Sequence, residues 1–451
     1  MRRVLMLGWE YPPHISGGLG TACEGLTRGL ARQGVEVLFM VPRVFGDEDS
    51  SHMTLIDPLR HSVKRRKGAG PSSDSQSRVT IEQLFSEAEL QEIFIPAFLQ
   101  PYWSEKEYSR QLQLLRESST IESLPLELSS HRFLSSSALQ YGSDIFEEVN
   151  RYAAVVSRTA RYLDFDLVHA HDWMTFLAGT LVSRQSGKPL VVHIHSLEYD
   201  RSGQAGNRRI HDLEKLGIVS ADAVIAVSHY TKGIIRREHG IPAEKISVVH
   251  NGIYPSEAVQ HYRDSSPDRR KRVLFLGRVT FQKGPDYFVE AAAKVIPHVP
   301  EVEFVLAGTG DMLPRLKSRV YELGIERHFS FPGFLKGEEV ERAFSTADLY
   351  VMPSVSEPFG IAALEAISFD TPALISRQTG VSEVLGHTLK FDFWDIDRLA
   401  DLIINALQYD ELRQDMIQMA RRELKRLRWD AAAEKTLAVY EMIIHRNERR
   451  I

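Results

Sequence analysis

Short apolar runs alternate with amphipathic stretches along most of the chain, and the alternation starts twice. The first start is a strand at Val4–Leu7, a glycine-rich loop at Ser16–Gly20, a helix at Thr21–Gln33 and a second strand at Glu36–Val41. The second is a strand in VLFLG after Arg272, a helix at Pro285–Val295 and a strand in EFVLAG. KSRVYELG, FSFPG, EVERAFSTA, DLYVMP, LEAIS and PALIS then continue the same alternation. Apolar strands separated by amphipathic helices predict parallel sheets covered on both faces, and two such runs predict two doubly wound α/β domains.

The pattern lapses in three places. Residues 46–145 read as an insertion in the first domain: His61–Arg78 has almost no apolar content and reads as a mobile loop, and Ile81–Leu115 reads as helical segments broken by Pro96 and Pro101. Such an insertion either shapes the acceptor side of a site or is decoration. The polar stretch Pro255–Arg272 marks the join between domains. Trp429–Arg450 reads as an amphipathic helix whose apolar face carries Leu437, Val439, Tyr440, Ile443 and Ile444. Its polar face carries Glu434 and Glu441, which argues for packing on a neighbouring domain rather than for a membrane surface. The expected division is 1–254, a first Rossmann-like domain with that insertion; 255–428, a second; and 429–451, a helix returning to the first.

Composition narrows the classes. The chain has 451 residues, 43% hydrophobic and 25% charged, an ordinary globular balance with material for more than one core. A net charge of -5 gives no ground for expecting nucleic acid as a partner. The single cysteine, Cys23, excludes an internal disulfide framework and reads as a small apolar helix residue. MRRVLML is too short for a secretory signal, and no run of about 18 apolar residues predicts a membrane span. The expected location is the cytoplasm; the oligomeric state is not legible.

In open α/β sheets ligands bind beyond the carboxyl ends of the strands, so the loops there are the places to search. The first holds Gly17 and Gly18, where the backbone can approach a ligand and a helix N-terminus favours an anion. The dinucleotide fingerprint is not met, because Cys23 stands where Gly or Ala belongs, and a plain tight turn explains the glycines equally well. Next come His169-Ala170-His171-Asp172-Trp173 and His193-Ile194-His195. Alternate strand residues share a face. These pairs suit either a metal, as in a hydrolase, or the polar lining of a site. With no further ligand cluster that must join them, one catalytic histidine and no metal is the preferred reading.

Arg278 and Lys283 follow VLFLG, five positions apart beside Gly277 and Gly284. Two fixed cations at a strand end suit a diphosphate whose charge grows as it leaves; two surface cations are the plainer alternative. Gly308 and Gly310 after EFVLAG make a close-approach loop or a simple turn. The most specific string is Glu357-Pro358-Phe359-Gly360-Ile361-Ala362-Ala363-Leu364-Glu365. A strand ends, a loop carries Glu357, and a helix starting near Phe359 offers its amides to phosphate, with Glu365 within reach of a ribose. The aspartate pairs Asp47/Asp49, Asp164/Asp166 and Asp395/Asp397 match the metal-dependent transferase pattern but fall outside this plan.

SGGLG, HAHDW, GRVTFQKG and EPFGIAALE, in this order across nearly the whole chain, resemble the two-domain retaining glycosyltransferases. The nearest group is the bacterial and archaeal glycogen and starch synthases, with related family 4 transferases. The resemblance implies a GT-B architecture, two Rossmann-like doubly wound parallel-sheet domains facing across a cleft. It implies transfer of a hexose, glucose foremost, from a nucleotide-sugar donor such as ADP-glucose or UDP-glucose to a saccharide, an α-1,4-glucan foremost, with no cofactor and no metal. His171 would support the positive charge at the anomeric carbon. Arg278 and Lys283 would grip the diphosphate, Glu357 the sugar hydroxyls and Glu365 the ribose. Gly17 and Gly18, Gly308 and Gly310, and Phe359, Gly360 and Ile361 would complete donor binding. ADP-glucose-using glycogen synthases carry a lysine two positions before the paired glycines, where this chain has Ile15; that departure bears on the nucleotide and on the acceptor. A transferase acting on a lipid or small molecule, a His-x-His metal hydrolase and a non-catalytic sugar-nucleotide sensor are the competing classes.

Overall fold

A computed structural model describes residues 2–14, 17–58, 63–64, 78–79, 145–203, 206–254 and 270–448. The helical segments expected in Ile81–Leu115, Ile15 and Ser16, and nearly all of the expected join lie outside the described residues, as does most of the His61–Arg78 loop. The chain forms two units, one of residues 1–194, 212–225 and 433–451, the other of residues 195–211 and 226–432.

In the first unit the strands are β1 (Arg3–Leu7), β2 (Glu36–Met40), β3 (Thr54–Ile56), the short antiparallel pair β4 (Val63–Lys64) and β5 (Arg78–Val79), β6 (Leu167–His171), β7 (Leu190–Ile194) and β8 (Ala223–Ala226). Their order in the main sheet is β3-β2-β1-β6-β7-β8, and β1 pairs parallel with both β2 and β6. β1, β6 and β7 are almost wholly buried runs, as strands covered on two faces must be. The order reverses between β1 and β6.

The second unit repeats the plan. β9 (Ile246–Val248) precedes β10 (Lys271–Leu276), β11 (Val302–Ala307), β12 (Phe329–Gly333), β13 (Leu349–Met352), β14 (Ala373–Ser376) and β15 (Leu389–Phe391). Its sheet is β12-β11-β10-β13-β14-β15, parallel throughout. The reversal falls between β10 and β13. Two apolar cores cover this sheet, one built around Phe288, Phe304 and Leu399, the other around Phe344, Phe359 and Ile375. Both units therefore show the two-halves order of a dinucleotide-type fold.

Three local expectations need correction. The first helix runs Gly18–Arg32, so Gly18 and Gly20 belong to its first turn rather than to a loop; the buried Glu10 carboxylate accepts the Gly20 amide at 3.1 Å and holds that turn. His169 and His171 lie inside β6, not after it. The helix after Glu357 begins at Ile361, two residues late, because Gly360 sits at φ 105°, a conformation that stops the helix from extending backwards. No helix among the described residues is long and apolar enough to cross a membrane.

Candidate active site at the switch points

The loops leaving β10 and β13, on either side of the second reversal, converge. Gly277 and Arg278 directly follow β10, and a 3-10 turn over Phe281–Lys283 comes next. Gln282 in that turn is buried, and its carbonyl accepts the amides of Val355 at 2.9 Å and Ser356 at 3.4 Å. The turn is thus bonded, backbone to backbone, to the loop that follows β13. Across this junction the Lys283 ammonium donates to the Glu357 carboxylate. Ser354 Oγ donates to the same oxygen at 3.4 Å. Glu357 is a charged side chain only 9% exposed and Lys283 is 23% exposed, so the pair compensates a buried charge. Arg278 is half-buried and donates to Gln282 Oε1 at 3.3 Å. Glu365, one turn into the following helix, is half-buried, and burial pushes its carboxyl up to about 7.

Other nominated residues have structural roles as well. The Phe359 side chain lies in the core, which leaves only its backbone for a ligand; Ile361 is half-buried at the helix start. At Gly308, φ is 142° and an added Cβ would stand 1.8 Å from the Gly277 carbonyl oxygen. Gly310 similarly meets the Val279 carbonyl at 2.3 Å. The close approach made by this loop is to the chain after β10, which it holds in place.

In the first unit the reversal lies between the loops after β1 and β6. Gly17 is extended, with φ -173°, before the helix that opens at Gly18. His171 pairs in register with His193 on β7, and His169 is two residues back on the same face. All three imidazoles are buried, and each offers a ring nitrogen within 4.8 Å of the others, so together they could hold a metal ion. His169 Nδ1 also meets the Tyr440 hydroxyl at 2.5 Å. His195 belongs to the second unit, and burial lowers its pKa to about 3. Asp172, directly after His171, has φ 58° and ψ 167°. That region is almost reserved for glycine and costs about 1–3 kcal/mol, a kind of strain that clusters at functional sites. Sequence reasoning quoted Asp172 but gave it no role, and it missed Glu10 and Ser356. Only the non-glycine residue at a strand-to-helix corner could have flagged Asp172.

The aspartate pairs have structural uses. Asp47 bonds His14 at 2.7 Å, and Asp49 accepts from Arg28 at 2.7 Å. Asp166 accepts the Arg3 amide, Asp164 pairs with Arg3, Asp395 caps a helix at Arg398, and Asp397 pairs with Lys294. Cys23 is buried, which raises its thiol pKa.

Comparison with known proteins agrees with this layout. Residues 259–423 match the family described as glycosyl transferases group 1, and residues 141–257 match glycosyltransferase family 4. An uncharacterized glycosyltransferase of Methanocaldococcus jannaschii is 28% identical over 98% of both chains. An α-maltose-1-phosphate synthase of Mycolicibacterium smegmatis is 32% identical over 61% of this chain and 79% of its own length. A glycogen synthase of Mycobacterium tuberculosis is 25% identical over 99% of this chain and 96% of its own. Among solved structures, the sucrose-phosphate synthase of Thermosynechococcus elongatus superposes with a TM-score of 0.68 at 18% identity, over 99% of this chain and 100% of its own.

Proposed function

Because this chain belongs to the GT-B glycosyltransferases and resembles the glycogen synthases among them, we propose that it transfers glucose, with retention and without a metal, from a nucleotide-sugar donor to an α-glucan. The observation that carries this reading is the convergence of the loops after β10 and β13, joined by Lys283 and Glu357 at the carboxyl ends of the strands that flank the order reversal. In this fold class ligands bind at that point.

In the proposed reaction the acceptor hydroxyl attacks the anomeric carbon from the face the diphosphate leaves. The bond from that carbon to the phosphate oxygen breaks as the bond to the acceptor oxygen forms, and the acceptor's proton passes to the departing phosphate. Arg278 and Lys283 stabilise the charge that grows on the diphosphate, work that a metal would otherwise perform. Glu357 orients the sugar hydroxyls and Glu365 the ribose. Gly308 and Gly310 shape the donor loop, and the amides from Phe359 to Ile361 face the phosphates. The family resemblance assigns Gly17 and Gly18 to donor binding as well, and His171 to supporting the positive charge at carbon.

The test is nucleotide release from UDP-glucose and ADP-glucose, with and without glycogen, in chelator. Glycogen-dependent release that survives chelation, and that falls at least ~100-fold in Glu357→Gln, is expected; the loss of a positioned charged group typically costs this much. Release that requires added metal, or an unaltered rate in the variant, would overturn the assignment. Ile15, in place of the lysine of ADP-glucose-using relatives, favours a second reading in which the acceptor is a lipid or small molecule. Turnover only on such an acceptor would select it.

A further inference from the structure

We propose that Asp200, acting through Ser356 and Tyr230, is a positioning residue for Glu357, a role that rests on the transferase reading above. Asp200 is 3% exposed, on the short helix Glu198–Ser202. One carboxylate oxygen accepts the Leu197 amide at 2.8 Å; the other accepts the Ser356 hydroxyl at 2.6 Å. The Tyr230 hydroxyl lies 2.9 Å from the same Ser356 oxygen. A carboxylate only accepts and a serine hydroxyl has one proton to give. The protons are therefore ordered, Tyr230 to Ser356 to Asp200.

The other neighbour of Glu357 is held from the same side. Ser228 Oγ donates to the Pro358 carbonyl at 2.6 Å, and Thr231 Oγ1 to the same oxygen at 3.3 Å. The Glu357 amide itself donates to the Gln378 carbonyl at 3.0 Å. Residues 356, 357 and 358 are thus each fixed by a separate partner, and the direction of the Glu357 side chain follows from the two flanking anchors. Asp200, Tyr230, Ser228 and Thr231 bond the residues that flank Glu357 rather than its carboxylate. These bonds set where the Lys283–Glu357 pair stands, and a displacement of about 1 Å in such a group can cost up to ~100-fold in rate.

Ser356→Ala removes the centre of the relay with little change in volume, and Ser356→Thr keeps the hydroxyl. Hydrogen exchange over residues 353–360 and steady-state kinetics with UDP-glucose or ADP-glucose form the two arms. In Ser356→Ala the segment is expected to exchange at least ~10-fold faster while β10 is unchanged, and kcat to fall roughly 10-fold with donor KM within about 2-fold. Ser356→Thr restores both readouts, and Ser356→Ala/Asp200→Ala is no slower than Ser356→Ala alone. Unchanged exchange, faster exchange with unchanged kcat, or an effect confined to KM would overturn the proposal. A wild-type protein that turns over no sugar donor would defeat the functional reading, while the exchange arm still decides whether the relay fixes the loop.

Discussion

Removing one partner of the Lys283–Glu357 pair tests both the electrostatics and the architecture of the second unit. Lys283→Met keeps an unbranched side chain one atom shorter and deletes its charge. Glu357, 9% exposed, then keeps a carboxylate in a place that excludes most water, with Ser354 Oγ at 3.4 Å as a weak donor. Stranding a buried charge costs roughly 3–5 kcal/mol. Because the Lys283 side chain is 23% exposed, the pair is not fully dehydrated and the low end applies, about 3 kcal/mol. That is roughly a 100-fold rise in the opening equilibrium of the unit, at about 1.4 kcal/mol per tenfold. Lys283→Met/Glu357→Gln removes the stranded charge and should recover most of the deficit, although it restores no activity. Native-state hydrogen exchange of the amides in β10 and β13 reads the opening of this unit separately from the other. A double variant no more stable than Lys283→Met, or a single variant costing under about 1 kcal/mol, would refute the view that the pair exists to compensate burial.

Three further outcomes follow from other sites. Gly308→Ala forces a side chain into a φ of 142° with its Cβ 1.8 Å from the Gly277 carbonyl oxygen. Backbone strain and steric displacement together should cost about 3 kcal/mol or more, and an unshifted Tm would contradict it. Burial pushes the Glu148 carboxyl up from 4.5 to about 7, against the pull of Arg151. The folded state therefore binds that proton more tightly than the unfolded chain does. Its contribution to stability is present below about 4.5 and is lost as pH rises to about 7, by roughly 3 kcal/mol. In urea titrations across this window, Glu148→Gln should flatten the slope, and an identical slope would disprove it. Tyr440→Phe leaves buried His169 Nδ1 without the hydroxyl that now stands 2.5 Å away. It should cost about 1–3 kcal/mol in the exchange protection of β6, and full protection would show that the bond contributes nothing.

The local signals carried the element types well. Alternation of apolar strands and amphipathic helices is a property of short windows, so Pro285–Val295 was readable to the residue. Arg278, Lys283 and the Glu357 string could be nominated from the chain alone because they directly follow strands. The same windows misplaced boundaries where a distant group intervened, as Glu10 does at Gly20.

The sequence by itself determined two parallel-sheet units, the strand ends at which to look for chemistry, and the kinds of residue found there. Tertiary structure alone decided that His193 stands beside His171, since cross-strand register depends on which strands become neighbours. It also decided that Lys283 meets Glu357, 74 positions away, and that Asp200 meets Ser356 across 156. Helical and strand periodicities repeat every few residues and cannot encode such separations. These contacts are selected when the whole interior packs at once and each buried polar group must find a partner.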